Sequence, residues 1–150
     1  MRTIGIALGA AALAVAAPAV PAGAAPAGGD CELLAVPAAG DARDLTVTEV
    51  CGADAAAARR STALVYWYEN ADWDTSGGTI WGRGGTCDAE GYHVTLDSHA
   101  SNNISSWQVA GWCHRVVAYN DGGVAATFHG NVNYPGPAHN DNIDQMRITS

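Results

Sequence analysis

The sequence predicts an all-β domain of two Greek-key motifs packed face to face, and three observations carry that prediction. From Ala63 onward, short runs of β-branched and aromatic residues are separated by Gly-, Asn- and Pro-rich turn signals, roughly every 8–12 residues. No stretch there sustains a helical period. Two oxygen-rich arcs also repeat each other about 39 residues apart: Ser101-Asn102-Asn103-Ile104-Ser105-Ser106 and Asn140-Asp141-Asn142-Ile143-Asp144-Gln145. A duplicated unit of about four strands per copy is what two packed Greek keys require.

In chain order, Met1 to Ala24 reads as a secretory signal peptide. Arg2 supplies a minimal positive start, Ile4 to Val20 is apolar, and Ala22-Gly23-Ala24 fits a cleavage site, with Ala25-Pro26-Ala27 as an alternative. Residues 25–62 form a linker and N-terminal extension. Within it Asp44 to Val50 alternates like a strand and Ala53 to Arg60 is Ala-rich like a short helix. The main domain spans residues 63–150. Its expected strands are Leu64–Glu69, Thr79–Trp81, Tyr92–Leu96, Ser105–Ala110, Arg115–Tyr119, Val124–Phe128 and Met146–Thr149.

Export places the four cysteines in an oxidising compartment, and no pair has C-x-x-C spacing, so disulfides are expected. Three connectivities are open. The sequential pairs Cys31–Cys51 and Cys87–Cys113 are favoured because each closes a loop within one segment, worth about 3 kcal/mol on the chain-entropy model. The net charge is −8, one unit more negative once a leader holding Arg2 is removed, and Lys is absent. Nucleic acid and anionic membrane are therefore poor partners, since both require clustered basic residues. Roughly 125 residues remain after the leader, enough for one ordinary core. A secreted, extracellular monomer is expected.

The arcs carry the chemistry. A hard cation such as Ca²⁺ takes six to eight oxygens from carboxylates, amides, hydroxyls and backbone. The same residue types next to turns also bond their own backbone with no metal at all. Catalysis has little support. His93, His99, His114, His129 and His139 lack a metal-site spacing, and no nucleophile motif is present, so no catalytic residue is assigned.

These residues resemble the βγ-crystallin family, whose domain is two Greek keys, each with an aromatic opening strand and a calcium arc of the pattern Asn/Asp-Asn/Asp-x-x-Ser/Thr-Ser. Tyr68-Glu69-Asn70-Ala71-Asp72-Trp73 and Tyr119-Asn120-Asp121-Gly122-Gly123 are similar to the family's opening hairpins. The resemblance covers residues 63–150 and implies a βγ-crystallin-like sandwich that binds Ca²⁺. Carried over by position, the implied ligands are Asn102, Asn103 and Ser105 from the first arc, and Asn140, Asp141, Asn142 and Asp144 from the second. Glu69, Asn70, Asn120 and Asp121 are implied from the hairpins. The first arc departs at Ser101, and the first hairpin is lengthened by Thr75-Ser76. The second arc ends Asp144-Gln145, so one intact and one altered site is the expectation. Few ligands are carboxylates, which implies affinity in the range of roughly 10⁻⁵–10⁻³ M.

Two binding functions compete. A secreted bacterial inhibitor family active against metalloproteases shares this architecture, and Gly82-Arg83-Gly84-Gly85-Thr86-Cys87 is the candidate loop here, with Arg83 its candidate binding residue. The cysteine usual just ahead of that family's first strand is missing. Five tryptophans suggest cell-wall or polysaccharide binding, with Trp67 the residue expected at such a surface.

Overall fold

The computed structural model describes residues 31–38, 41–74 and 77–150. The leader, the cleavage site, the linker and Thr75-Ser76 lie outside the described residues. No helix among the described residues is long and apolar enough to cross a membrane.

Among the described residues there are nine strands: β1 Cys31–Ala38, β2 Asp41–Cys51, β3 Thr62–Tyr68, β4 Gly77–Gly82, β5 Tyr92–Thr95, β6 Ser106–Val109, β7 Arg115–Tyr119, β8 Ala125–His129 and β9 Gln145–Thr149. Two short helices, α1 Ala53–Ala58 and α2 Ser98–Ser101, and a 3-10 turn at Ala71–Trp73 complete the fold. All seven strands expected after Ala63 form, within a residue or two at their ends.

Two interlocked Greek keys follow from the pairing. In the first, β3 pairs antiparallel with both β4 and β6. In the second, β7 pairs antiparallel with both β8 and β9. The motifs also contact each other reciprocally. β5 pairs with β9, and Val132 bridges Trp107 of β6. The result is a βγ-crystallin-like sandwich. Its core includes Leu64, Val65, Trp67, Ile80, Tyr92, Trp107, Val116, Met146 and Ile148 from the facing strands.

The N-terminal segment is pinned by Cys31–Cys51, as expected, and is also part of the sheet system. The β1–β2 hairpin lies between the two motifs: β1 runs parallel to β4, and β2 parallel to β5. Leu33, Ala35, Leu45 and Val47 point into the shared core. β1 is the strand that the sequence does not announce. Its run Glu-Leu-Leu-Ala-Val-Pro lacks alternation because both faces are covered. Leu33 faces the core, while Leu34 is also buried and α1 lies against β1 and β2.

Helix α1 forms because Ala has the highest helix propensity, and it starts at Gly52, whose φ of 60° suits a residue without Cβ. Ala55 and Ala58, three apart, form its buried face. Glu32 then ties helix to sheet by accepting from Arg59 Nε at 2.8 Å and from Trp81 Nε1 at 3.0 Å.

A second tie joins the hairpin to the domain. Arg43 donates to both Asp88 oxygens, at 3.0 and 2.6 Å, and its guanidinium lies 5.2 Å from the centre of the Tyr92 ring. The Arg43 hydrogen bond, then the Gly91 N–H, hold the Asp88 carboxyl below the usual carboxylate range. At this exposed position the pair fixes orientation more than it adds stability.

Candidate metal centre

The 39-residue repeat is reproduced in the hydrogen bonding. Ser101 N–H donates to Asp97 O at 2.9 Å, and Asn140 N–H to Gly136 O at 3.0 Å. Ser105 N–H donates to Tyr68 O at 2.9 Å, and Asp144 N–H to Tyr119 O at 2.8 Å. Ile104 and Ile143 are both fully buried and anchor their arcs. Each arc is thus a turn hung from the end of its own motif's opening strand. The Asp97 side chain starts the first turn by accepting from Ala100 N–H at 2.8 Å, an N-cap role.

The two arcs lie against each other. Asp141 N–H donates to Ile104 O at 3.1 Å, and Ile143 N–H to Ser101 O at 3.0 Å. Across that junction the Ser105 hydroxyl donates to Asp141 Oδ1 at 2.6 Å. Asn140 Nδ2 donates to Asp141 Oδ2 at 2.7 Å. Asp141 adopts a left-handed backbone, φ 52°, which Asp tolerates better than most residues. The sequence groups the candidate ligands arc by arc, whereas the fold shares them: a first-arc hydroxyl meets a second-arc carboxylate. Glu69 follows Tyr68, the residue that receives Ser105 N–H, and its Oε1 lies 3.8 Å from His99 Nε2.

A second cluster forms at the other hairpin. Asn142 donates its amide nitrogen to the Asp121 carboxylate, reaching Oδ2 at 3.1 Å. Asp144 is half-buried nearby in sequence, its backbone held by Tyr119 O and by Leu96 N–H.

The remaining candidates are placed differently. Asn102 and Asn103 return their amide nitrogens to Ser98 O at 2.8 Å and His99 O at 2.6 Å, which leaves each amide oxygen uncommitted among the described residues. Asn120 is committed at both ends, accepting from Val124 N–H at 2.8 Å and donating to Ala138 O at 2.9 Å, so its side chain braces the turn. Asn70 contributes a carbonyl, which accepts from Ser106 Oγ at 2.5 Å. Ser106, which closes the first arc, is turned to the hairpin loop instead. Its hydroxyl also accepts from Trp73 N–H at 3.1 Å and so holds the long first hairpin loop. The second hairpin is short and held by Asn120, which accounts for Gln145 standing where Ser106 stands in the first arc.

The surface candidates separate. Trp67 is 2 % exposed and packs in the core, against the expectation of a ligand surface there; the outward residue of that strand is Tyr66. Alternation fixes two faces of a strand but not which one turns inward, and the larger ring is buried. Arg83 is exposed on a tethered loop. Cys87 bonds Cys113, as expected from the sequence, Trp112 N–H donates to Thr86 Oγ1 at 3.3 Å, and Tyr92 OH donates to Gly85 O at 3.0 Å. Cys31, Glu49 and Cys51 also lie close together, but both sulfurs are consumed in a disulfide and offer no thiolate.

The side-chain donors at the arcs are carboxylate, amide and hydroxyl oxygens, the types that a hard cation takes. No protein-family model matches the chain, and no curated protein matches it. Among solved structures it is similar to the Ca²⁺-bound βγ-crystallin domain of Abundant Perithecial Protein from Neurospora crassa. The two are 15% identical, with a TM-score of 0.43 over 59% of this chain and 90% of that one.

Proposed function

We propose that this chain is a secreted, non-enzymatic calcium-binding protein in which the ion is structural and clamps the two arcs together. The observation that carries this reading is the 2.6 Å approach of Ser105 Oγ to Asp141 Oδ1 across the arc junction. It joins a hydroxyl and a carboxylate from opposite halves of the fold at one point. Bound there, calcium supplies positive charge and a cross-link between motifs. Ser105, Asp141 and Glu69 would hold that ion at the junction; Asp121, Asn142 and Asp144 would hold a second, weaker one at the other hairpin. The Asn102 and Asn103 oxygens add neutral donors. Two disulfides support an oxidising, extracellular setting.

Asp141 and Asp144 belong to different clusters, so their removal has different consequences. Calorimetric titration of the purified protein with Ca²⁺ is expected to show a Kd of roughly 10⁻⁵–10⁻³ M. Asp141→Ala abolishes the tighter phase, and Asp144→Ala weakens only the other. If neither substitution alters the isotherm, the ligand assignment is wrong even if calcium binds.

A second reading has one observation in its favour: the loop that carries Arg83 is hydrogen-bonded at Gly85 and Thr86 and cross-linked at Cys87, and a protease inhibitor needs such a restrained loop. Incubation with secreted metalloproteases decides it. Undiminished proteolysis of a test substrate dismisses the inhibitor, and inhibition lost in Arg83→Ala assigns the loop.

A further inference from the structure

The sheet system has two ends, and they are treated differently. One end is the Val132 bridge on β6. The first hairpin loop covers it: Asp72 N–H donates to Asn133 O at 2.8 Å, Asn133 Nδ2 returns to Asp72 Oδ1 at 3.0 Å, and Trp73 Nε1 reaches Val132 O at 3.2 Å. Holding Asp72 and Trp73 in successive left-handed conformations, φ 60° and 61°, is the conformational cost of that cover. The other end is β8, which pairs only with β7 among the described residues.

The register shows which β8 groups face outward. Asn120 N–H donates to Val124 O, and Gly130 N–H to His114 O. Antiparallel pairs alternate, so Val124, Ala126, Phe128 and Gly130 bond inward to β7. Ala125, Thr127 and His129 therefore direct their N–H and C=O away from the sheet. None of the three has another partner among the described residues. Three outward residues centred on Thr127 are self-complementary. Two β8 strands related by a two-fold axis at Thr127 pair Thr127 with its mate and Ala125 with His129 on both sides, which satisfies all six groups of each copy.

We propose that β8 is a homodimerisation edge, joining two copies antiparallel about Thr127 into one continuous sheet. Charge singles out the second copy as the occupant. In a chain of net charge −8, no Asp, Glu, Lys or Arg stands between Asp121 and Asp141, so two acidic chains meet here without opposed carboxylates. The edge also lacks the Lys, Pro or bulge by which monomeric sheets guard themselves. Thr127 facing Thr127 is a favourable cross-strand pair. Five paired residues bury less than a standard interface of about 1,200–2,000 Å², so the dimer is weak and concentration-dependent. The sequence leads one to expect a monomer because an edge strand has no compositional mark.

Sedimentation equilibrium of the purified protein over a wide concentration range tests this. The expected mass rises from monomer toward dimer with concentration. Thr127→Pro removes an outward N–H and no bond to β7, so the variant remains folded by circular dichroism and stays monomeric. Thr127→Lys keeps the N–H but sets two cations face to face, and is expected to weaken the dimer at least tenfold. A monomer at every concentration overturns the proposal, as does a dimer that persists unchanged in both folded variants.

Discussion

Trp107→Ala is expected to destabilise the protein by about 3–5 kcal/mol, the range for deleting a buried Trp side chain. Trp107 is fully buried on β6, its ring meets Phe128 edge-on at 5.0 Å between centroids, and its backbone holds the Val132 bridge that locks the second motif onto the first. The loss should fall toward the lower end, because the Trp107 indole N–H has no partner among the described residues and its removal relieves that desolvation. Trp107→Phe discriminates: it keeps most of the ring and drops the N–H, so its loss should be well below that of alanine. Denaturant unfolding measures both. Equal losses for the two variants would show that ring volume is not what the site requires.

Loss of Cys87–Cys113 is the second large effect, about 2–5 kcal/mol. The bond spans 26 residues and both cysteines are buried. It fastens the loop after β4 to the turn before β7, where one motif passes to the next. Cys31–Cys51 spans 20 residues, but both cysteines are exposed, and the hairpin it closes is already held by seven further cross-strand pairs. Graded reduction with thiol labelling should open Cys31–Cys51 first with little change in the melt. Opening Cys87–Cys113 should then lower it steeply. The reverse order would mean that the core around Cys113 is more open than its burial indicates.

Much of this fold is legible in the sequence because the strands from Ala63 onward are short runs of β-formers set off by turn residues. Arg115–Tyr119 and Tyr92–Thr95 announce themselves through β-branched and aromatic residues between turn signals. β1 does not, because it is covered on both faces and its apolar run has no period. The insertion of the β1–β2 hairpin between β4 and β5 is invisible for another reason: parallel pairing between segments distant in sequence leaves no local mark. Val132 is a single bridge and has no pattern either. Composition identifies the arcs, since oxygen-rich turns around one Ile recur twice. How their polar side chains meet depends on the packing of one motif against the other, and so Ser105 meets Asp141 instead of a residue of its own arc. Trp67 and Tyr66 exchange roles because alternation does not distinguish inside from outside.

Calcium bound at the arc junction should stabilise the folded chain, because the two arcs come together only when both motifs are formed. Thermal unfolding of the purified protein in chelator and in about 10 mM Ca²⁺ measures this directly. At a concentration about a hundredfold above Kd the gain is about 2.7 kcal/mol, a rise in Tm on the order of 10 °C for a domain of this size. A Tm that is the same in chelator and in calcium would contradict calcium binding at these arcs.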